Sequence, residues 1–326
     1  MSEPLLKVEG LSVEYQTQKG KIRAVDNASF TLDKAEVLGL VGESGSGKST
    51  LGLSLIGLVP YPGKIVKGDV FLNGEDILKL KNDKLRDLRG TGICYVFQDP
   101  MTSLNPVKKI GDHFVEMIQT HQPKVTKKEA LDRAAKLLKD VGIRSERIHD
   151  YPHQLSGGMR QRVMIALAIT LNPKIVVADE PTTALDVIVQ AKILDLLRKL
   201  RDSHGMALLL ITHDLSIVLE RSDNVIVMYA GQVVECGESK SLYATPLHPY
   251  TQGLLKSIPN IELTEQKLEA IAGSPPDLLD LPGGCRFWPR CKYAFDRCHK
   301  EEPMLLKTQE QHSVRCFLYE EGGIKK

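Results

Sequence analysis

The chain has 326 residues, 42% hydrophobic and 26% charged, with a formal net charge of +2, enough for one large domain with a smaller one or for two ordinary ones. So small a charge carries no polyelectrolyte signal and argues against nucleic acid as the main partner. Met1-Ser2-Glu3-Pro4 lacks the basic and apolar segments of a secretory signal, and the longest apolar run, Val163 to Leu171, is far shorter than the ~18 residues of a spanning helix.

Leu6 to Val8, Leu11 to Tyr15 and Arg23 to Phe30 read as short strands. Asp69 to Leu72 followed by Asn73-Gly74 reads as one arm of a hairpin, which predicts a small antiparallel sheet beside a parallel one. Between these segments, Val37-Leu38-Gly39-Leu40-Val41 predicts a buried strand and Leu51 to Leu58 a helix. The stretch joining them, Gly42-Glu43-Ser44-Gly45-Ser46-Gly47-Lys48-Ser49-Thr50, matches G-x-x-x-x-G-K-[ST]. Strand, glycine loop and helix together make a phosphate cradle. Backbone N–H groups approach the phosphates, the helix N-terminus adds partial positive charge, Lys48 reaches the β- and γ-phosphates, and the Ser49 hydroxyl ligates Mg²⁺. The nucleotide-binding candidates are therefore Gly42, Ser44, Gly45, Ser46, Gly47, Lys48, Ser49 and Thr50. Tyr15 reads either as a half-buried strand aromatic or as a face for stacking adenine.

Ile93 to Phe97 predicts a second buried strand that delivers Gln98, an uncharged amide, toward the metal and γ-phosphate. From Met101 to about Leu155 the pattern is helical. Thr126-Lys127-Lys128-Glu129 is a capping box, Leu131, Ala134, Leu137, Leu138 and Val141 keep helical spacing, and Gly142 ends the run. This predicts an α-helical insertion, about 99–160, within the nucleotide-binding core. Leu155-Ser156-Gly157-Gly158-Met159 then opens a helix predicted from Arg160 to about Thr170, a second anion-binding N-terminus. Lys174 to Glu180 is an apolar strand ending in two carboxylates: Asp179 is suited to holding Mg²⁺ and Glu180 to activating the attacking water. The strand Ala207 to Ile211 leads to His213. A lone histidine at a strand end is usually structural, but in this order it reads as a donor to the γ-phosphate.

Over roughly residues 5 to 257 this ordered set resembles the ATP-binding subunit of ATP-binding cassette (ABC) transporters, an α/β P-loop fold with a mixed sheet, an antiparallel β subdomain and an inserted helical subdomain. The resemblance implies that Gly42 to Ser49 is Walker A, Gln98 the Q-loop residue, Leu155 to Met159 the signature, and Ile175 to Asp179 Walker B. It likewise implies that Glu180 is the catalytic carboxylate, Ala184-Leu185-Asp186 the D-loop and His213 the switch histidine, with Tyr15 at the adenine-stacking position and Mg²⁺ held by Ser49, Gln98 and Asp179. Met159 departs from the commonest signature, which has glutamine there. In this family two cassettes close head to tail around ATP. Ser156, Gly157 and Gly158 would then complete the partner's site, and the segment from Gln98 to Pro106 would contact the permease.

Further on, His248-Pro249-Tyr250-Thr251, Gly253-Leu254-Leu255, Gly273-Ser274-Pro275-Pro276 and a cysteine-bearing tail resemble the C-terminal extension of dipeptide and oligopeptide import ATPases, a group that includes nickel importers. The resemblance implies a heterodimer with a second, related ATPase, two transmembrane permease subunits and an external peptide-binding protein, at the cytoplasmic side of the membrane. Pro246, Pro249, Pro259, Pro275, Pro276 and Pro282 predict an extended segment, and the expected division is 1–257 for the cassette and 258–326 for the extension. The alternative class is a soluble ABC-type ATPase acting on nucleic acid or ribosomes. Such proteins tend to carry coiled coils, C-x-x-C zinc insertions or two cassettes, none of which this sequence shows.

Cys94 and Cys236 lie in apolar strand patterns and read as inert core thiols. Cys285, Cys291, Cys298 and Cys316 are separated by five, six and seventeen residues. Two structural disulfides are not expected in a cytosolic chain, so a metal centre is the better reading. The spacing lacks the tight C-x₂₋₄-C turns typical of zinc, which favours a [4Fe–4S] cluster; Zn²⁺ and unligated thiols are the alternatives. Arg286, Arg290, Lys292, Arg297 and Arg315 lie nearby in sequence and would offset thiolate charge. Nothing in the sequence ties this group to the ATP site.

Overall fold

In the computed structural model the described residues are 3–258, 271–309 and 312–320, so Pro259 lies outside them. Strands β1 (Leu6–Thr17), β2 (Gly20–Leu32) and β3 (Val37–Val41) lead into helix α1 (Lys48–Ser54). Strands β4 (Gly63–Leu72) and β5 (Glu75–Asp76), helix α2 (Asn82–Thr91) and strand β6 (Ile93–Val96) follow. Next come helices α3 (Pro100–Ser103), α4 (Ile110–His121), α5 (Lys127–Asp140) and α6 (Gly157–Ile169), then β7 (Ile175–Asp179), α7 (Val187–His204) and β8 (Ala207–Thr212). The chain continues through α8 (Leu215–Arg221), β9 (Asn224–Tyr229), β10 (Gln232–Glu238), α9 (Ser239–Ala244) and α10 (Pro249–Lys256). The tail adds α11 (Asp296–Lys300), β11 (Leu306–Gln309) and β12 (His312–Val314). None of the described helices is long and apolar enough to cross a membrane.

Two compact units result. One comprises Met1–Leu32, Val37–Leu78 and Leu210–Lys326; the other comprises Asp33–Glu36 and Lys79–Leu209. In the first unit β1 and β2 form a long antiparallel hairpin, with Val8 opposite Phe30 and Tyr15 opposite Ile22, and β4 pairs with the other edge of β1. The break expected between Val8 and Leu11 is a bulge in one continuous strand: the register shifts there while Gly10 takes a φ of 58°. Asn73 and Gly74, both at positive φ, turn β4 into β5 as their sequence predicts.

In the same unit a second, mixed sheet runs β11, β12, β10, β9, β3. Strand β3 pairs in parallel with β9, while β9, β10 and β12 pair antiparallel. The tail thus supplies strands to the sheet that carries the glycine loop. Helix α1 begins three residues earlier than the apolar pattern indicates, because Gly47 in the left-handed region caps it and accepts the Leu51 N–H at 2.9 Å. The proline-rich segment is also not extended throughout. Pro249 opens α10 at the first helical position, where its missing N–H is not needed, and the His248 side chain caps the helix by accepting the Tyr250 N–H.

In the second unit β6 and β7 pair in parallel, Ile93 opposite Ile175 through Val96 opposite Ala178. Helices α4 and α5 bury Val115, Ile118 and Ala130 against each other. The capping box forms as predicted: the Thr126 hydroxyl accepts the Glu129 N–H at 3.2 Å, and Glu129 accepts the Thr126 N–H at 2.9 Å. Helix α6 starts at Gly157 rather than Arg160, because Ser156 is its cap.

Candidate active site

The glycine loop belongs to the first unit and hangs from β3, which is buried along its whole length. A Cβ at Gly47 (φ 99°) would run into the Ala24 carbonyl, and one at Gly42 into the Met228 carbonyl, so close backbone approach requires glycine at both. The Lys48 side chain folds back over the loop, its Nζ donating to the carbonyls of Gly42 at 2.8 Å and Glu43 at 2.9 Å, and the residue is only 5% exposed. The Ser46 hydroxyl is buried without a hydrogen-bond partner. Ser44, Gly45 and Ser49 are exposed, and a Cβ added at Gly45 would meet nothing within 4 Å. A loop locked at the back, open at the front and holding an unsatisfied hydroxyl beside a buried ammonium is built for an anion. Tyr15 is half-buried, its hydroxyl 3.5 Å from Thr50 Oγ1 at the start of α1. His213 stands exposed just after β8, and the Asp214 side chain caps α8.

In the second unit β7 ends at Asp179, which is 5% exposed and accepts the Tyr95 hydroxyl at 2.6 Å. Burial, reinforced by the Asp179 charge, pushes the Tyr95 pKa up and keeps the phenol a donor. Sequence reasoning passed over Tyr95; the available signal was one polar tip in an otherwise apolar strand. Glu180 adopts a φ of 44°, uncommon for a residue with a side chain, and its Oε2 accepts from Gln98 Nε2 at 3.1 Å and from Thr183 Oγ1 at 2.8 Å. The structure therefore brings Gln98 and Glu180 together as a polar pair.

Ser156 and Asp186 each cap a helix: Ser156 Oγ accepts the Met159 N–H at 3.3 Å, and Asp186 accepts the Val189 N–H at 2.9 Å. A Cβ at Gly158 would meet Val189 Cγ1 at 2.8 Å, whereas at Gly157 the nearest atom would be Leu185 Cδ2 at 3.6 Å. Of Gly157 and Gly158, the second is the one that the packing of α6 on α7 requires.

The tail departs from expectation in three ways. Cys285, Cys291, Cys298 and Cys316 are free thiols, and among the described residues no three or more His, Cys, Asp or Glu side chains are arranged to hold a metal ion. The [4Fe–4S] or Zn²⁺ ligand set read from the sequence is therefore not preformed. The four are nonetheless close enough to feel one another. Burial first, and then the neighbouring cysteines, push the thiols of Cys285 up to about 11 and Cys316 up to about 12. Second, the nearby arginines have other partners. Arg286 pairs with Asp26, Arg290 with Glu43, and Arg297 with Glu301 and Glu320; Arg315 donates to the carbonyls of Val233 and Pro303. Third, the tail is tied to the glycine loop, through Arg290. Cys94 and Cys236 lie in β6 and β10 as expected, half-buried, their thiols pushed up to about 11 chiefly by burial.

Buried strand, glycine loop, folded-back lysine and strand-end carboxylates are the parts of a P-loop ATPase. The family model described as "ABC transporter" matches residues 25–183, and that described as "Oligopeptide/dipeptide transporter, C-terminal region" matches residues 234–298. The chain is 50% identical over 322 residues to the oligopeptide transport ATP-binding protein AppD of Bacillus subtilis, covering 98% of each. It is 46% identical over 316 residues to the dipeptide transport ATP-binding protein DppD of Escherichia coli, covering 96% of each. Among solved structures, a dimeric bacterial ABC transporter cassette superposes with a TM-score of 0.64 at 30% identity, over 72% of this chain and 98% of that one. A post-hydrolysis dimeric cassette bound to ADP and Pi gives 0.63 at 29% identity over the same shares. The chain belongs to the ABC transporter ATPases, in the oligopeptide/dipeptide ATP-binding subunit family.

Proposed function

We propose that this chain is the ATP-hydrolysing subunit that powers import of di- and oligopeptides, working at the cytoplasmic side of the cell membrane as a peripheral protein. The observation that carries the reading is near-full-length similarity to transport ATP-binding proteins, combined with a loop in which the buried Lys48 ammonium lies over the Gly42 and Glu43 carbonyls and the Ser46 hydroxyl is buried without a hydrogen-bond partner. Extension of the likeness through residues 234–298 favours transport over action on nucleic acid or ribosomes. ATP would bind with its phosphates on Gly42 to Thr50 and its adenine on Tyr15, and Lys48 would exchange the Gly42 and Glu43 carbonyls for phosphate oxygens. Ser49, Gln98 and Asp179 would hold Mg²⁺, which neutralises charge developing on the phosphoryl oxygens. Glu180, oriented by Gln98 and Thr183, would take the proton of the attacking water, and His213 would donate to the γ-phosphate. Ser156, Gly157, Gly158 and Asp186 would face the nucleotide of a second, related ATPase, as the dimeric state of the similar cassettes supports. Two permease subunits and an external peptide-binding protein complete the system. In cells, deletion of the chain should abolish uptake of a labelled dipeptide, restored by the wild-type chain and not by Lys48→Ala. Uptake that persists unchanged overturns the peptide reading while leaving the ATPase assignment intact.

In the same reading Cys285, Cys291, Cys298 and Cys316 hold a [4Fe–4S] cluster, with Zn²⁺ as the alternative. What supports the reading is the four-cysteine spacing together with backbone N–H groups directed at sulfur, that of Tyr293 lying 3.4 Å from Cys291 Sγ; the four are not arranged as a ligand set in advance, and binding would have to draw them together and ionise them. Bound there, the group would cross-link the tail's loops and supply one-electron chemistry; its role is structural or redox-sensing.

A further inference from the structure

We propose that Arg290 and Tyr250 of the C-terminal extension are positioning residues for the nucleotide loop, acting through Glu43 to set how readily Lys48 receives ATP. The proposal rests on the reading of Gly42 to Thr50 as the ATP site.

Glu43 is a variable position of the loop pattern, yet its main-chain and carboxylate groups are all engaged. Its N–H donates to the Tyr250 hydroxyl at 2.9 Å, and its carbonyl accepts Lys48 Nζ at 2.9 Å. Its carboxylate takes both terminal nitrogens of Arg290, at 2.7 Å and 3.0 Å. This forked pair is the geometry that confers direction as well as strength. The Arg290 side chain is 5% exposed and that of Glu43 28%, so the pair is partly shielded from solvent screening.

Arg290 is itself held in place. Its Nε donates to the Ala272 carbonyl at 3.1 Å, one terminal nitrogen reaches the Tyr229 hydroxyl at 3.3 Å, and its guanidinium lies over the Tyr229 ring. Tyr229, Tyr250 and Phe287 pack ring against ring in a core that also contains Val41, the last residue before the loop. Tyr250 is fixed through α10. His248 caps that helix, and the buried Glu235 carboxylate accepts the N–H groups of Leu247 and His248. Beside the pair, Pro275 to Leu278 and Glu43 to Ser46 line a cleft of about 280 Å³, so the tail also runs along the loop. The loop's second residue is thus clamped by residues 207 and 247 positions away, and its carbonyl is a resting ligand of Lys48. Loss of the clamp frees the Glu43 peptide to turn. Lys48 then loses a defined starting position, and displacements of about an ångström are enough to cost up to ~10²-fold.

The test uses the full chain, Mg-ATP titration, steady-state hydrolysis and thermal unfolding. Arg290→Met should raise the Kd and KM for ATP roughly tenfold while kcat at saturation changes less than twofold. Glu43→Gln should do the same, the double variant should add nothing further, and Arg290→Lys should recover part of the loss. Arg297→Met, which breaks pairs inside the tail only, reports the effect of loosening the tail without touching the loop, and should leave KM unchanged. Unchanged KM in Arg290→Met overturns the brace, as does a KM change that Arg297→Met reproduces. Normal ATP binding by Lys48→Ala would instead overturn the loop reading beneath it.

Discussion

The glycine loop and the signature-bearing half of the cassette are built on opposite plans. In the loop, the groups that set geometry are held by residues remote in sequence and buried: Glu43 by Tyr250 and Arg290, Ser46 through its carbonyl by the Gly231 N–H, and Gly42 and Gly47 by close approach to Met228 and Ala24. In the second unit Ser156, Asp186 and Glu180 each bond a group three residues on: Met159, Val189 and Thr183. Asp179, buried under Tyr95, and Glu180, which also accepts from Gln98 82 positions away, are the exceptions. Remote, desolvated partners rigidify a site before its ligand arrives, whereas local capping at exposed helix starts leaves a surface complete only once something packs on it. In the proposed reading one half is a preformed binding site, and the other is the half-site that a partner would complete.

The sharpest way to separate the halves is chemical. Glu180→Gln keeps the shape of a side chain that accepts from Gln98 and Thr183 and removes its basicity. Hydrolysis should fall by about 10²–10⁴-fold, the range of a positioned general base, while ATP affinity, which belongs to the other half, stays within twofold. Parallel losses in Kd and kcat would erase the division of labour.

The next largest effect tests the half-site itself. Gly157→Asp is preferable to a change at Gly158, where a Cβ would meet Val189 Cγ1 at 2.8 Å. At the first turn of α6 an aspartate also suits the helix dipole, so the fold should be spared. Set against a partner's phosphates, the same carboxylate costs several kcal/mol, and ATP-dependent association measured by sedimentation should weaken by about 10²-fold or more. ATP binding by the isolated chain should be unaffected. Association at wild-type strength would remove the signature from the interface.

The two plans differ in how far they can be read from sequence. Local devices were legible: the Thr126 capping box, the Asn73-Gly74 hairpin turn, and the Ile175–Asp179 strand with its carboxylates follow from spacing over a few residues. The loop was legible as a motif, but its support was not. Nothing at Glu43 foretells a partner 247 residues away, and Arg290 reads as one more surface arginine until folding sets it against the loop. The misread proline segment has the same origin. Pro249 disfavours a helix interior but favours a helix start, and which applies depends on His248 reaching the Tyr250 N–H. Tyr95 escaped notice because its importance lies in an acceptor 84 residues on.

The smallest effect, and the one that joins the tail's chemistry to the loop, is expected from metal removal. Arg290 precedes Cys291, and Cys285 and Cys291 pack on the core that contains Val41, Tyr229 and Tyr250. If the four thiols hold a [4Fe–4S] cluster, protein prepared without oxygen should be brown, bleach with dithionite and contain about four iron atoms per chain. Stripping the iron leaves the Cys285 and Cys316 thiols, pushed up to about 11 and about 12 chiefly by burial, protonated near neutral pH, and the four cysteines no longer hold their loops together as ligands. The Arg290 brace should slacken without breaking, because Ala272, Tyr229 and Glu43 still hold it. ATP affinity should therefore drop only severalfold, less than in Arg290→Met, and stripping iron from Arg290→Met itself should change its affinity no further. Colourless anaerobic protein carrying stoichiometric zinc would replace the cluster with Zn²⁺ and leave this coupling test to be read with that metal. Equal affinity with and without metal would confine the cysteine centre to the stability of the tail and leave the loop's support to Arg290 and Tyr250 alone.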